Sequence, residues 1–146
     1  MIKDIRIVIY LLLFVLFASL LSCSQPDFRA LEPDVKNGVI LEAKFWRGTL
    51  DPKGGFDLRI INNSTANLYN CNLIFDDKYK HTIEGLYSES KGLIKEKVLK
   101  KGDTLTLQFN HDGSNLLYYD ITDKTFFPKT ISLSCDSCKT VWKFNE

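Results

Sequence analysis

Run after run of this chain alternates apolar and polar residues with a period of two, and that alternation limits the fold more than any other feature. Val39, Leu41, Ala43 and Phe45 alternate with Ile40, Glu42 and Lys44, and Phe56, Leu58 and Ile60 with Asp57 and Arg59. The same pattern places Cys71, Leu73 and Phe75 on one parity, then Tyr79, His81 and Ile83, then Leu105, Leu107 and Phe109, then Ile131, Leu133 and Cys135. One apolar parity per run is the mark of a strand with one face buried. Turn-forming clusters separate the runs: Asp51-Pro-Lys-Gly-Gly55, Asn62-Asn-Ser-Thr65, Asp76-Asp77, Gly85, Lys101-Gly-Asp103 and Asp112-Gly113. Short strands at intervals of roughly ten residues predict an antiparallel sandwich or barrel. The best helix candidate, 86–99, carries lysines on no single face, and no internal repeat is present. Leu116-Leu-Tyr-Tyr119 and Phe126-Phe127 are apolar without alternation and read as an irregular connection over one end of the core.

The order of these features resembles a known architecture. A strand ending in Asn-Asn is followed by Asn70-Cys-Asn-Leu-Ile-Phe75, Tyr79 and Ile83, Lys101-Gly-Asp103, Phe109 with Asp112-Gly113, and Pro128-Lys-Thr-Ile-Ser-Leu-Ser-Cys135. Over 56–135 this is similar to small immunoglobulin-like β-sandwich domains of bacterial envelope proteins of unassigned function. The resemblance implies an all-β, antiparallel sandwich of about seven strands and brings no catalytic residues with it.

Ahead of the strands stands a different kind of segment. Lys3 and Arg6 precede 15 uncharged residues, 7–21, which end in Leu20-Leu21-Ser22-Cys23. A hydrocarbon core of about 30 Å needs roughly 20 apolar residues in helix, so this run is short for a span and suits an export signal. The Leu-Leu-Ser-Cys ending resembles the lipobox of bacterial lipoproteins. That resemblance implies cleavage before Cys23, acylation of Cys23, and a place in the cell envelope, with Ser24 compatible with the outer membrane. The expected organisation is a signal helix at 1–22, a lipidated N-terminus and flexible tether at 23–36, and a β-sandwich domain at 37–146. Residues 24–36 are polar, with two prolines and no period, as a tether would be.

Removing 1–22 takes Lys3, Arg6 and Asp4 from a total of 19 basic and 18 acidic side chains and leaves 17 of each. A neutral domain has no bulk attraction for nucleic acid. The expected partners are therefore the membrane, through the lipid on Cys23, and an envelope protein or glycan.

Three cysteines remain: Cys71, Cys135 and Cys138. An exported chain meets an oxidising compartment, and an odd number leaves one thiol over. A two-residue hairpin turn at Asp136-Ser137 would set Cys135 opposite Cys138 and put Thr140, Trp142 and Phe144 on the face of Ile131 and Leu133. The first expectation is thus a Cys135–Cys138 clamp. A Cys71–Cys135 bridge between sheets is its competitor, followed by buried free thiols and a redox-active Cys135/Cys138 pair without a helix N-terminus to activate it. A zinc site would need all three cysteines with His81 or His111, and the second half-site has no paired ligand spacing. No metal or other cofactor is expected.

The remaining candidates have plain structural readings. The stretch 91–101 carries five lysines and one glutamate. It is expected as a lysine-protected edge or loop rather than an acidic-surface contact. Asp76-Asp77 and Asp112-Gly113 read as turns rather than calcium ligands. No nucleophile–base motif, phosphate loop or metalloprotease motif occurs. The reading is a non-enzymatic binding or structural module. Trp46, Tyr87, Tyr118 and Tyr119 are the expected contact aromatics, since an exposed apolar patch would betray a binding face. Two alternatives stand beside it: a barrel closed around a small ligand, and a thiol–disulfide protein using Cys135 and Cys138.

Overall fold

The alternating runs do become strands. The computed structural model describes residues 8–10, 12, 27–46, 55–110, 115–116 and 128–143. In chain order the strands are β1 (Arg29–Ala30), β2 (Val39–Trp46), β3 (Gly55–Asn62), β4 (Leu68–Tyr69), β5 (Asn72–Phe75), β6 (Tyr79–Thr82), β7 (Tyr87–Ser88), β8 (Gly92–Leu93), β9 (Val98–Leu99), β10 (Thr104–Asn110), β11 (Asn115–Leu116), β12 (Thr130–Ser134) and β13 (Lys139–Lys143). The larger sheet has the order β1-β2-β3-β10-β7-β8, with β11 also on β10; the second has the order β13-β12-β5-β6; β4 and β9 form a separate pair. All pairings are antiparallel except β10 with β11. The fold is therefore all-β, as the periodicity predicts. Residues 86–99 hold three short strands and turns, not a helix.

The two sheets bury the apolar parity of each run against one another. Leu41, Phe56, Leu58, Ile60, Leu105, Leu107 and Phe109 come from the larger sheet, and Leu73, Phe75, Ile131, Leu133 and Trp142 from the smaller. Three phenylalanines join the layers: Phe75 meets Phe56 at 5.6 Å and Phe109 at 5.1 Å between ring centres, edge to face, while Phe56 and Phe109 stack at 5.4 Å. Edge-to-face pairs set a positive ring edge on a negative ring face and add about 0.5–1.5 kcal/mol each beyond the area they bury.

Turn chemistry fixes the register. Asp76 and Asp77 have φ of 51° and 52°, the left-handed conformation a primed hairpin turn needs. Lys78 N–H closes that turn on Phe75 O, and Asp76 Oδ1 accepts the amides of Lys129 (2.6 Å) and Thr130 (3.0 Å). This pair is a turn whose carboxylate holds the start of β12, as expected.

Two asparagines do structural work the sequence does not advertise. Asn62 is fully buried at the end of β3. Its amide donates to Ala66 O (3.0 Å) and Leu99 O (2.9 Å), and its Oδ1 accepts from Ser64 N–H (3.1 Å) and Ser64 Oγ (2.6 Å). Asn115 accepts from Tyr87 N–H (2.7 Å) and donates to Tyr87 O (2.8 Å) and Gln108 O (3.0 Å), so one side chain stands in for a missing stretch of strand.

The largest departure from expectation concerns the tether. Residues 29–34 are folded into the sandwich. Arg29 and Ala30 pair with Ala43 and Glu42, and Leu31 N–H donates to Leu41 O at 2.9 Å. Pro33 then forms a bridge with Trp142, and Asp34 exchanges two hydrogen bonds with Val141, from its own N–H (2.9 Å) and to its Oδ1 (2.7 Å). The segment thus borrows hydrogen-bonding edges from β2 of one sheet and β13 of the other. Propensity could not show this, because both edges are supplied by distant chain.

Asn62→Ala takes the side-chain donor from the Leu99 carbonyl and the acceptor from Ser64 N–H at a buried position and is expected to cost about 1–3 kcal/mol; Phe56→Ala opens a cavity in the aromatic cluster and is expected to cost about 3–5 kcal/mol. Urea denaturation of both variants checks these values. A loss under half a kcal/mol for either would contradict the packing described.

Candidate functional site

Two features of the sandwich carry chemistry: a row of cysteines at one end of the smaller sheet and an aromatic, charged outer face on the larger one.

The cysteine row follows from register. Leu73 faces Leu133 and Asn72 faces Ser134 across β5 and β12; one step further, Cys71 faces Cys135. Ser134 faces Lys139 across β12 and β13, and one step further Cys135 faces Cys138, with Cys135 N–H donating to Cys138 O at 2.8 Å. Cys135 therefore sits between the other two. The bridge joins Cys71 to Cys135, with their Cα atoms 4.1 Å apart, and Cys138 keeps a free thiol. The first-choice Cys135–Cys138 clamp is thus not formed, and the competing pair is bonded within one sheet rather than between the two.

The hydrogen-bond alternation explains the choice. Asp76 N–H donates to Thr130 O, which makes 76/130 a hydrogen-bonded pair and, counting back along the ladder, 71/135 a non-hydrogen-bonded one. Antiparallel strands approach to about 4.5 Å at the latter sites and stand about 5.5 Å apart at the former, where Cys135 and Cys138 lie. The bridge spans a sequence separation of 64 residues. Closing a loop of that size in the unfolded chain removes entropy worth roughly 4 kcal/mol. A three-residue clip would contribute far less.

Around the row the backbone is tied down. Asp136 N–H donates to Tyr69 O (3.0 Å), and Asn70, at a φ of 52°, donates from its side chain to Asp136 Oδ2 (2.7 Å). Cys71 is buried, while Cys135 and Cys138 are half-buried against the core. Burial pushes the Cys138 thiol pKa up, so it is a thiol rather than a thiolate near neutral pH.

The outer face of the larger sheet gathers two of the four expected contact aromatics. Trp46, Gly55 and Asn110 share one row across β2, β3 and β10. The next row holds Lys44, Asp57 and Gln108, with Tyr87 beyond them on β7. Trp46 lies flat on Gly55: a Cβ there would sit 2.4 Å from the indole ring and 2.6 Å from Phe109 O. Its Nε1 donates to the buried Asp57 at 3.1 Å. The glycine and the carboxylate thus seat the indole against the sheet. Tyr87 (46% exposed) faces Leu93 (56% exposed) across β7 and β8, an open apolar pair that two-residue strands give no periodicity to signal. Further along, Phe28 covers the Arg59 guanidinium at 4.0 Å, and Arg59 bonds Glu42 at 2.8 Å. Tyr118, Tyr119 and Cys23 lie outside the described residues.

The other candidates settle into structural roles. In the lysine-rich stretch, Lys91 pairs with Asp103 (2.7 Å), Lys97 with Glu84 (3.5 Å) and Lys100 with Glu96 (2.9 Å). Such surface pairs contribute little stability, but they set a carboxylate against three of the five lysines of this stretch. Among the described residues no group of three or more His, Cys, Asp or Glu side chains is placed to hold a metal. His81 packs on Phe75 (5.4 Å) and Phe109 (5.6 Å), and His111 lies outside the described residues.

Compared with known protein families, curated proteins and solved structures, the chain matches none.

Burial holds the His81 imidazole below its ordinary pKa of 6.5. The unfolded chain then takes up a proton that the folded chain refuses, so this residue's stability contribution is whole above the unfolded pKa and declines as pH falls below it. Melting temperatures of wild type and His81→Phe, measured from pH 7.5 to 4.5, are expected to diverge below about pH 6.5, the wild type falling faster. Parallel curves would contradict the assignment.

Proposed function

We propose that this chain is a lipid-anchored protein of the bacterial cell envelope whose β-sandwich is a non-enzymatic binding or structural module. The observation that carries the reading is the folded leading segment. With β1 starting at Arg29 and Asp27 already described, only residues 24–26 separate Cys23 from the domain. Four Cα steps of about 3.5 Å give a reach of roughly 14 Å at full extension. A lipid on Cys23 would hold the sandwich against the bilayer by its β1–β2 edge. The chain enters beside the end of β2, so the Trp46 end of the outer face would be turned toward the lipid, with the Tyr87–Leu93 pair at the opposite edge of the same sheet.

The immunoglobulin-like reading belongs to the same proposal. Taking the long strands in order, β2, β3 and β10 with β7 form one sheet, and β13, β12, β5 and β6 the other. The chain crosses from the first sheet to the second after β3, back after β6 and across again after β10, which is the pattern of the immunoglobulin sandwich. Its usual bridge between sheets is replaced here by one within a sheet. The carrier alternative loses ground because Phe56, Phe75, Phe109 and Trp142 occupy the space between the layers. Among the described residues no helix is long and apolar enough to cross a membrane, so attachment through Cys23 does not compete with a described span.

The full-length gene product, expressed in a bacterium, is expected to partition into the membrane fraction and to show, by intact mass, an N-terminus at Cys23 carrying acyl chains. Cys23→Ser should remain uncleaved and lose the acyl mass while its domain stays folded. A mature chain starting elsewhere with no acyl mass would overturn the proposal.

A further inference from the structure

Three cysteines in a row, each one residue beyond the end of one of three adjacent strands, form an arrangement that neither a membrane anchor nor a binding face requires. The sheet order β13-β12-β5 puts Cys138 and Cys71 on opposite sides of Cys135. Displacement at a disulfide sulfur needs the attacking thiolate, the attacked sulfur and the departing sulfur roughly in line, and attack proceeds through the thiolate. Cys138 has the only free thiol among the described cysteines, and its residue flanks Cys135 on the side opposite Cys71. The turn that carries it is tied to residues 69–70 through Asp136, whose N–H donates to Tyr69 O and whose carboxylate accepts from the Asn70 side chain. On the far side, Tyr69 O lies 3.8 Å from Cys71 Sγ, where it can accept the S–H that Cys71 would acquire on release.

We infer that Cys71, Cys135 and Cys138 form one intramolecular thiol–disulfide exchange site, with Cys138 as nucleophile, Cys135 as the shared electrophile and Cys71 as leaving group. The Cys138 thiol gives its proton to solvent. A Cys138–Cys135 bond forms as the Cys135–Cys71 bond breaks, the electron pair departs on Cys71 sulfur, and that sulfur takes a proton from solvent. One disulfide and one thiol stand on each side, so nothing is oxidised or reduced and no outside reagent is consumed.

The two isomers differ in what they hold and what they show. The first ties β5 to β12 across 64 positions and keeps its thiol half-buried at Cys138. The second clips only the β12–β13 turn, frees the start of β5, and hides its thiol at Cys71, a position 1% exposed. A buried cysteine behaves as a small apolar side chain and is inert, so exchange withdraws the thiol from reach of external disulfides. This inference stands apart from the lipid anchor, since it concerns only the sheet that carries the cysteines.

The test uses the full chain purified in detergent without reductant. It is incubated at about pH 8.5, where a thiol of raised pKa still ionises in part, then quenched in acid; free thiols are alkylated and the protein is digested with trypsin. Cys71 falls in the peptide 60–78, and Cys135 and Cys138 fall together in 130–139. At the start, the two peptides should be disulfide-linked with the label on Cys138. With time, labelled 60–78 and an internally bridged 130–139 should appear in equal amounts, at a rate independent of protein concentration. Cys138→Ser should abolish the change, and Cys71→Ser, oxidised with glutathione disulfide, should close the 135/138 bond quantitatively. A label that stays on Cys138 in the wild type, a rate that rises with protein concentration, or a Cys71→Ser chain that keeps both thiols would each overturn the inference.

Discussion

The contact of Phe56 and Phe109 on one sheet with Phe75 on the other is the joint on which this structure depends. Each sheet has one apolar face, and neither is stable in water alone. Closing them on one another buries Leu41, Leu58, Ile60 and Leu107 against Leu73, Ile131, Leu133 and Trp142 in the same step. The remaining devices act at the margins of that joint. Asn62 and Asn115 satisfy backbone groups where strands stop short, Asp76 holds the start of β12, and residues 29–34 cover the side between β2 and β13.

Much of this was legible in the chain itself. The seven long strands announce themselves because a half-buried strand must alternate, and the parity that points inward is the apolar one in every case. The two-residue strands β4, β7, β8 and β9 do not, since two residues have no period; they exist because other chain offers them an edge. The asparagines were hidden for a related reason. Asn62 sits in an Asn-Asn-Ser-Thr run that looks like any surface turn, and only the neighbouring Leu99 carbonyl makes it an interior residue. The leading segment reads as a tether on composition, being polar and proline-bearing, and only the distant edges of β2 and β13 make it part of the sandwich.

The cysteines show the limit of local reasoning most clearly. A short hairpin correctly places Cys135 opposite Cys138, and sequence alone makes that the natural pair. The bonded partner is decided instead by the β5–β12 register, a long-range fact, and by the alternation of close and wide pairs along the ladder. Both neighbours of Cys135 are in place, and the ladder selects one. Of the expected contact aromatics, Trp46 and Tyr87 share an outer face, yet Trp46 is seated on Gly55 and bonded to Asp57, while Tyr87 stands open beside Leu93.

The proposed attachment of the domain close to a membrane turns on whether the leading segment is fastened to the sandwich or hangs free of it. Amide hydrogen exchange on the full chain in detergent reads this directly. The account predicts that the Leu31 and Asp34 amides, which donate to Leu41 O and Val141 O, exchange as slowly as amides within β2 and β13. Exchange of these two amides at the rate of an unstructured peptide would mean a loose leash, and the domain would not be held at the membrane surface.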